Sequence, residues 1–283
     1  MDRMSATSPS PNRQNPLLAT WSGEFEMPPF AAIKTEHFRP AFDRALAEHR
    51  AEIDTIAQNR AEPSFENTIA ALEKGGRELE RVANVFFVLA GADTSDDIEA
   101  IERDVSPLLA RHNNALYLNP ALYARIASLY KRRDSLGLSP EQARVLERYH
   151  TRFVRAGAAL EKPSQERLAA INERLASLGT QFAQNVLADE KSFAMILEEG
   201  DLAGLPDFAR TAARAAAEER GQPDKYAITL ARSSVESFLQ FSSRRDLREK
   251  AFQAWIRRGE RTPPLTPRNS GWLGVSLKGT RPR

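Results

Sequence analysis

The chain has 283 residues, 41% hydrophobic and 28% charged, proportions that fill a core and exclude an intrinsically disordered protein. Forty Lys+Arg stand against 38 Asp+Glu, a balance that gives no electrostatic ground for nucleic-acid binding. The sequence contains no Cys, which excludes disulfides, thiolate metal ligands and a cysteine nucleophile.

Residues 1–14 hold Arg3 and Arg13 but no apolar core, so they read as a disordered N-terminus and not as a secretory leader. With no Cys, a reducing, cytoplasmic location is expected. No apolar run approaches the roughly 20 residues of a spanning helix; the longest is Val85 to Ala90. No membrane association is expected.

Residues 15–260 read as one mainly helical region. Phe38, Phe42, Leu46, His49, Ile53 and Ile56 form a helical stripe, with Pro40 in the first turn, where its missing N–H costs little. Leu72, Leu79, Val82, Phe86 and Leu89 mark a further helix, apolar on all sides toward its end, which places that end centrally in the core. Gly75–Gly76 falls inside this pattern and predicts a kink or a close helix contact. Thr94–Ser95–Asp96–Asp97 is a helix start with acids at the positive end of the dipole. Asn119–Pro120 and Ser139–Pro140–Glu141–Gln142 are N-caps followed by Pro, the second a capping box.

Leu168, Ile171, Leu175, Leu178 and Phe182, spaced 3, 4, 3, 4, share one helical face. Two segments depart from the helical period. Ser192–Leu197 and Tyr226–Leu230 read as strands around an Ala/Arg-rich helix near Pro206–Arg220. Ser243–Arg244–Arg245–Asp246 opens a last helix with Leu247, Ala251 and Trp255 on one face, ended by Gly259. The fold class is therefore mainly α, a multi-helix region with a small two-strand β element. Residues 261–283 carry five basic side chains, four Pro and no acid; they read as a disordered basic tail rich in Pro and Gly.

The chemistry-bearing residues are few. The four histidines, His37, His49, His112 and His150, are followed by Phe38, Arg50, Asn113 and Thr151, so there is no His-Glu-x-x-His, the motif that sets two imidazoles one helical turn apart beside a carboxylate base. His49, on an apolar stripe, reads as a core histidine with a backbone partner in preference to a catalytic base. His150 fits an aromatic-flanked helix face. The acidic pairs Glu198–Glu199 and Asp96–Asp97 read as solvated. Neither a phosphate-cradling glycine loop nor Gly-x-Ser-x-Gly is present. By spacing alone there are no catalytic, cofactor-binding or metal residues to name.

The order of segments nevertheless resembles a known family. Asn15–Pro16–Leu17–Leu18 with Trp21 and Pro28–Pro29–Phe30 is similar to the opening of bacterial peptidases of the peptidyl-dipeptidase and oligopeptidase A type, in the thimet oligopeptidase-like M3 family of zinc peptidases. Ile33 to Phe42, Ser64 to Ile69, Leu89 to Thr94, Tyr117 to Pro120, Gly179 to Leu187 and Arg245 to Phe252 continue the likeness, which covers roughly residues 15–260. The resemblance implies the helical N-terminal region of a neurolysin-like fold. It also implies hydrolysis of short peptides in a channel, with zinc held by His-Glu-x-x-His and a downstream Glu.

Those groups lie in the C-terminal part of the family, which this sequence does not match, so none is carried over and no cofactor is expected in this chain. After Arg258–Gly259–Glu260 the likeness stops, and a reading-frame change replacing the catalytic half with 23 unrelated residues is the expected explanation. The expected function is a truncated N-terminal segment of a zinc-dependent peptidyl-dipeptidase, inactive alone. Its partners would be an oligopeptide substrate, a separate C-terminal half or a second copy. The alternative is a non-catalytic helical scaffold using Lys131–Arg132–Arg133, Arg244–Arg245 and Arg257–Arg258 on acidic partners.

Overall fold

Helix α1 (Phe38–Ala57) organises the first half of the molecule because its apolar stripe serves two clusters. A computed structural model describes residues 15–260. The described residues divide into two compact units, with the boundary between Thr180 and Gln181. The disordered ends expected at 1–14 and 261–283 lie outside the described residues.

In the first unit, the start of α1 packs Phe38 and Phe42 against Leu79, Val82 and Phe86 of α3 (Arg77–Ala92) and Ile98 and Val105 of α4 (Asp96–Tyr117). Phe86 lies edge-on to both phenylalanines, with ring centroids 5.1 and 5.4 Å away, the arrangement that the ring quadrupole favours. The segment before α1 is pinned by polar contacts. Asn15 Nδ2 donates to the His37 carbonyl at 2.7 Å and Trp21 Nε1 to that of Pro16 at 2.8 Å, which seats Leu17 in the same cluster.

The end of α1 turns Ile53 and Ile56 to a second cluster. There they meet Ile69, then Leu122, Ile126 and Leu129 from α5 (Pro120–Lys131), and Leu146 and Phe153 from α6 (Pro140–Arg155). The expected caps are present: Asn119 accepts from Leu122 N–H, and Ser139 exchanges bonds with Gln142 in a capping box. Ser95 likewise accepts from Ile98 N–H at the start of α4.

Two expectations need correction here. The helical pattern from Leu72 is broken at Gly75–Gly76: a π-type turn (Phe65–Ala70) runs into the short α2 (Ala71–Lys74), and α3 begins afresh at Arg77. Gly76 takes φ +73°, a left-handed conformation open to glycine, and a Cβ there would sit 2.8 Å from the His49 ring; the close contact is real, the continuous helix is not. Nor is the end of α3 central in the core. Val85 and Phe86 are buried, but Phe87 and Val88 are exposed, because one side of α3 faces away from α1 and α4.

Helix α7 (Lys162–Ser192) begins in the first unit and continues into the second. Ser192 ends this helix and does not start a strand. In the second unit, β1 (Met195–Leu197) pairs antiparallel with β2 (Tyr226–Ile228), Met195 opposite Ile228 and Leu197 opposite Tyr226. Between them lies α8 (Asp207–Glu218), whose Ala209 and Ala213 face Tyr226, Ile228 and Leu205. Val235 and Phe238 of α9 (Arg232–Phe241) and Leu247 and Ala251 of α10 (Arg245–Ile256) complete this core. Gly259, at φ +85°, lies just past α10, where a Cβ would press on Phe182 and Val186.

Candidate functional site

Zinc-peptidase chemistry requires imidazoles and carboxylates converging on one point, and the four histidines do not provide it. His37 Nδ1 accepts from Lys34 N–H at 3.0 Å in the turn before α1. His150 stacks on Tyr130, with centroids 4.0 Å apart and planes at 6°, as an aromatic-flanked helix face predicts.

His49 and His112 do meet, 63 residues apart in sequence: His112 Nε2 lies 2.9 Å from His49 Nδ1. A direct hydrogen bond between two ring nitrogens needs a proton on one of them, so those nitrogens are not free for a metal. His49 therefore finds a side-chain partner where a backbone one was expected. Burial drives the His112 pKa down to about 4, aided by His49 and Arg50. Burial also lowers that of His49, against the pull of Glu52. Both rings are neutral near pH 7. Glu52 is occupied as well, its Oε2 accepting Gly76 N–H at 2.7 Å. Among the described residues no three His, Asp or Glu side chains gather to hold a metal ion. The residues present do not fit the family's zinc site, and the histidine pair joins α1 to α4 structurally.

Part of each basic cluster is engaged within the chain. Arg132 donates to the Pro63 carbonyl at 2.6 Å and pairs with Glu62, while Arg133 lies over the Tyr130 ring. Arg244 binds Asp246 and Asp201, and Arg258 pairs with Glu190 at 2.6 Å. Of the acidic residues, Glu198 pairs with Lys225 at 2.5 Å and Glu199 accepts from the Tyr226 hydroxyl at 2.6 Å, while both remain exposed to solvent.

A charged surface that spacing could have revealed lies on α6. Arg144, Arg148, Arg152 and Arg155 recur at intervals of 4, 4 and 3, which confines them to a sector of about 80° on a helix of 100° per residue. They line a surface concavity of about 900 Å³ with Glu73 and Tyr149. Arg144 is braced by Glu147 at 2.6 Å and Arg152 lies over the Tyr117 ring. Tyr149 is hydrogen-bonded to Glu73, and burial together with that carboxylate raises its phenol pKa.

An apolar surface lies on α7. In the first unit, Ile171, Leu175 and Leu178 are 41%, 60% and 41% exposed along the face that their spacing predicts. They form a row of exposed apolar side chains on one helix face.

No family model matches the chain. It is 38% identical to dipeptidyl carboxypeptidase of Escherichia coli (strain K12) over 248 residues, which is 87% of this chain and 36% of that protein. Oligopeptidase A of Salmonella typhimurium is 30% identical over 251 residues, 88% of this chain and 36% of the relative. That of Haemophilus influenzae is 30% identical over 253 residues, again 88% and 36%. The chain thus spans about a third of the length of the curated relatives it matches, and no helix among the described residues is long and apolar enough to cross a membrane. The likeness is thus to dipeptidyl carboxypeptidase and oligopeptidase A, both M3-family peptidases, and it matches their N-terminal portion.

Proposed function

We propose that the chain supplies the N-terminal, non-catalytic portion of a zinc-dependent peptidyl-dipeptidase or oligopeptidase that acts on short peptides in the cytoplasm, and that it hydrolyses none by itself. The observation that carries this reading is the match of 87% of the chain to 36% of dipeptidyl carboxypeptidase, in a sequence with no His-Glu-x-x-His. Without a ligand set there is nothing to lower the pKa of a bound water or polarise a scissile carbonyl. What this portion contributes is architecture: helices that position and cover a catalytic part built elsewhere.

The apolar face of α7 supports the same reading, because Ile171, Leu175 and Leu178 are the surface such a catalytic part would bury. Alone, the chain is expected to self-associate through it. A scaffold using the basic clusters as its contact surface has less support, since Arg132, Arg244 and Arg258 are spent on internal carboxylates and carbonyls.

Complementation tests the proposal. A polypeptide carrying the C-terminal portion of an M3 peptidase, mixed with this chain and zinc, should release dipeptides from a short peptide at a rate that neither part reaches alone. Failure of the two parts to associate, with the C-terminal part folded, would refute it. We further propose that residues 261–283 arise from a frame change. Translating the neighbouring DNA should then reveal His-Glu-x-x-His in another frame, and its absence from all frames would exclude this origin.

A further inference from the structure

The arginine row of α6 has no role in the function proposed above. Its four guanidiniums are not equivalent. Arg144 and Arg152 are held, the first by Glu147 and the second against the Tyr117 ring. Arg148 and Arg155 make no hydrogen bond or ion pair with another described residue. Two unpaired guanidiniums therefore stand on the same face, seven residues and about 10 Å apart along the helix. Each presents a planar fork of donors that matches a carboxylate or phosphate. The rest of the concavity restricts the choice. Glu73 and Glu147 also line it, and each carboxylate keeps acceptor sites beyond its present bond. A chain of phosphates brings only acceptors and would be repelled at those two points. A peptide brings carboxylates separated by backbone N–H donors, and so matches both kinds of group.

The repeat matches too. In polyproline II conformation a chain advances about 3.1 Å per residue with three residues per turn, so side chains at i and i+3 share an edge about 9 Å apart. That is close to the separation of the two free arginines, and their long side chains take up the difference. Tyr149, kept protonated by burial and Glu73, adds no competing charge.

We propose that this face of α6 is an interaction surface for an extended acidic peptide segment, its carboxylates at i and i+3 bound by Arg148 and Arg155. The full chain is titrated into a rhodamine-labelled hexapeptide with aspartates three residues apart, and into its asparagine counterpart, with fluorescence anisotropy as the readout. The aspartate peptide should bind and the asparagine peptide should not, and added salt should weaken the complex. Arg148→Gln with Arg155→Gln should weaken it about tenfold or more, the loss expected for two charge-assisted contacts. Arg77→Gln, a change of equal charge on α3, should leave it unaltered. Arg148→Lys with Arg155→Lys should restore part of the affinity, and circular dichroism shows whether each variant is folded. Equal binding of the two peptides, or binding untouched by the glutamine pair, overturns the proposal. So does binding of tripolyphosphate without binding of the aspartate peptide.

Discussion

Acidification should weaken the fold through His112, and the size of the effect follows from its surroundings. This residue is 3% exposed, its Nδ1 is buried without a hydrogen-bond partner, and its Nε2 faces His49. Burial disfavours a cation here, and His49 and Arg50 add to the penalty, which is why the folded-state pKa falls from 6.5 to about 4. The unfolded chain therefore takes up a proton below pH 6.5 that the folded chain refuses until about pH 4, so stability rises with pH across that window. At about 1.4 kcal/mol per unit, the full difference is about 3 kcal/mol, with about 2 kcal/mol already lost at pH 5 relative to pH 7.5. Carboxylates titrate over part of the same range, so the assay compares the parent with His112→Leu in urea unfolding at both pH values. The stability difference between the two should shift by about 2 kcal/mol toward the variant at pH 5. An unchanged difference would show that His112 is charged in the folded protein or reaches water, and would refute the reasoning.

Other substitutions test the packing. Gly76→Ala forces a side chain into a left-handed conformation and against the His49 ring, and should cost about 2–3 kcal/mol, read as a lowered Tm. Arg125 is buried and donates to the Asn59 and Ala61 carbonyls and to Asn67 Oδ1, at 2.6, 3.1 and 2.7 Å; Arg125→Met should cost about 3 kcal/mol in chemical denaturation, because it leaves those acceptors dry. Leu175→Glu, on the exposed face of α7, should reduce self-association in sedimentation velocity while leaving Tm within about 0.5 kcal/mol equivalent of the parent.

Where sequence reasoning succeeded, local chemistry decides the outcome. Caps at Asn119 and Ser139 depend only on neighbouring residues, and the period of 3 and 4 from Leu168 to Phe182 needs only helix geometry. It did not say which apolar face is covered, so the exposure of Leu175, and of Phe87 and Val88, was hidden. Gly75–Gly76 looked like an interruption within a helix, but the left-handed Gly76 is fixed by the close approach of His49 from a different helix. The His49–His112 contact likewise joins residues of α1 and α4 that nothing local connects. The arginine row of α6 is legible in its spacing, although each arginine alone reads as an ordinary solvated charge.

The most direct test of the central claim, that no peptide-bond chemistry resides in this chain, is hydrolysis by the purified protein. Mass spectrometry of a short oligopeptide incubated with the chain and added zinc should show no dipeptide release above a protein-free control, with or without a chelator. Dipeptide release that co-purifies with the chain and disappears with a chelator would contradict it.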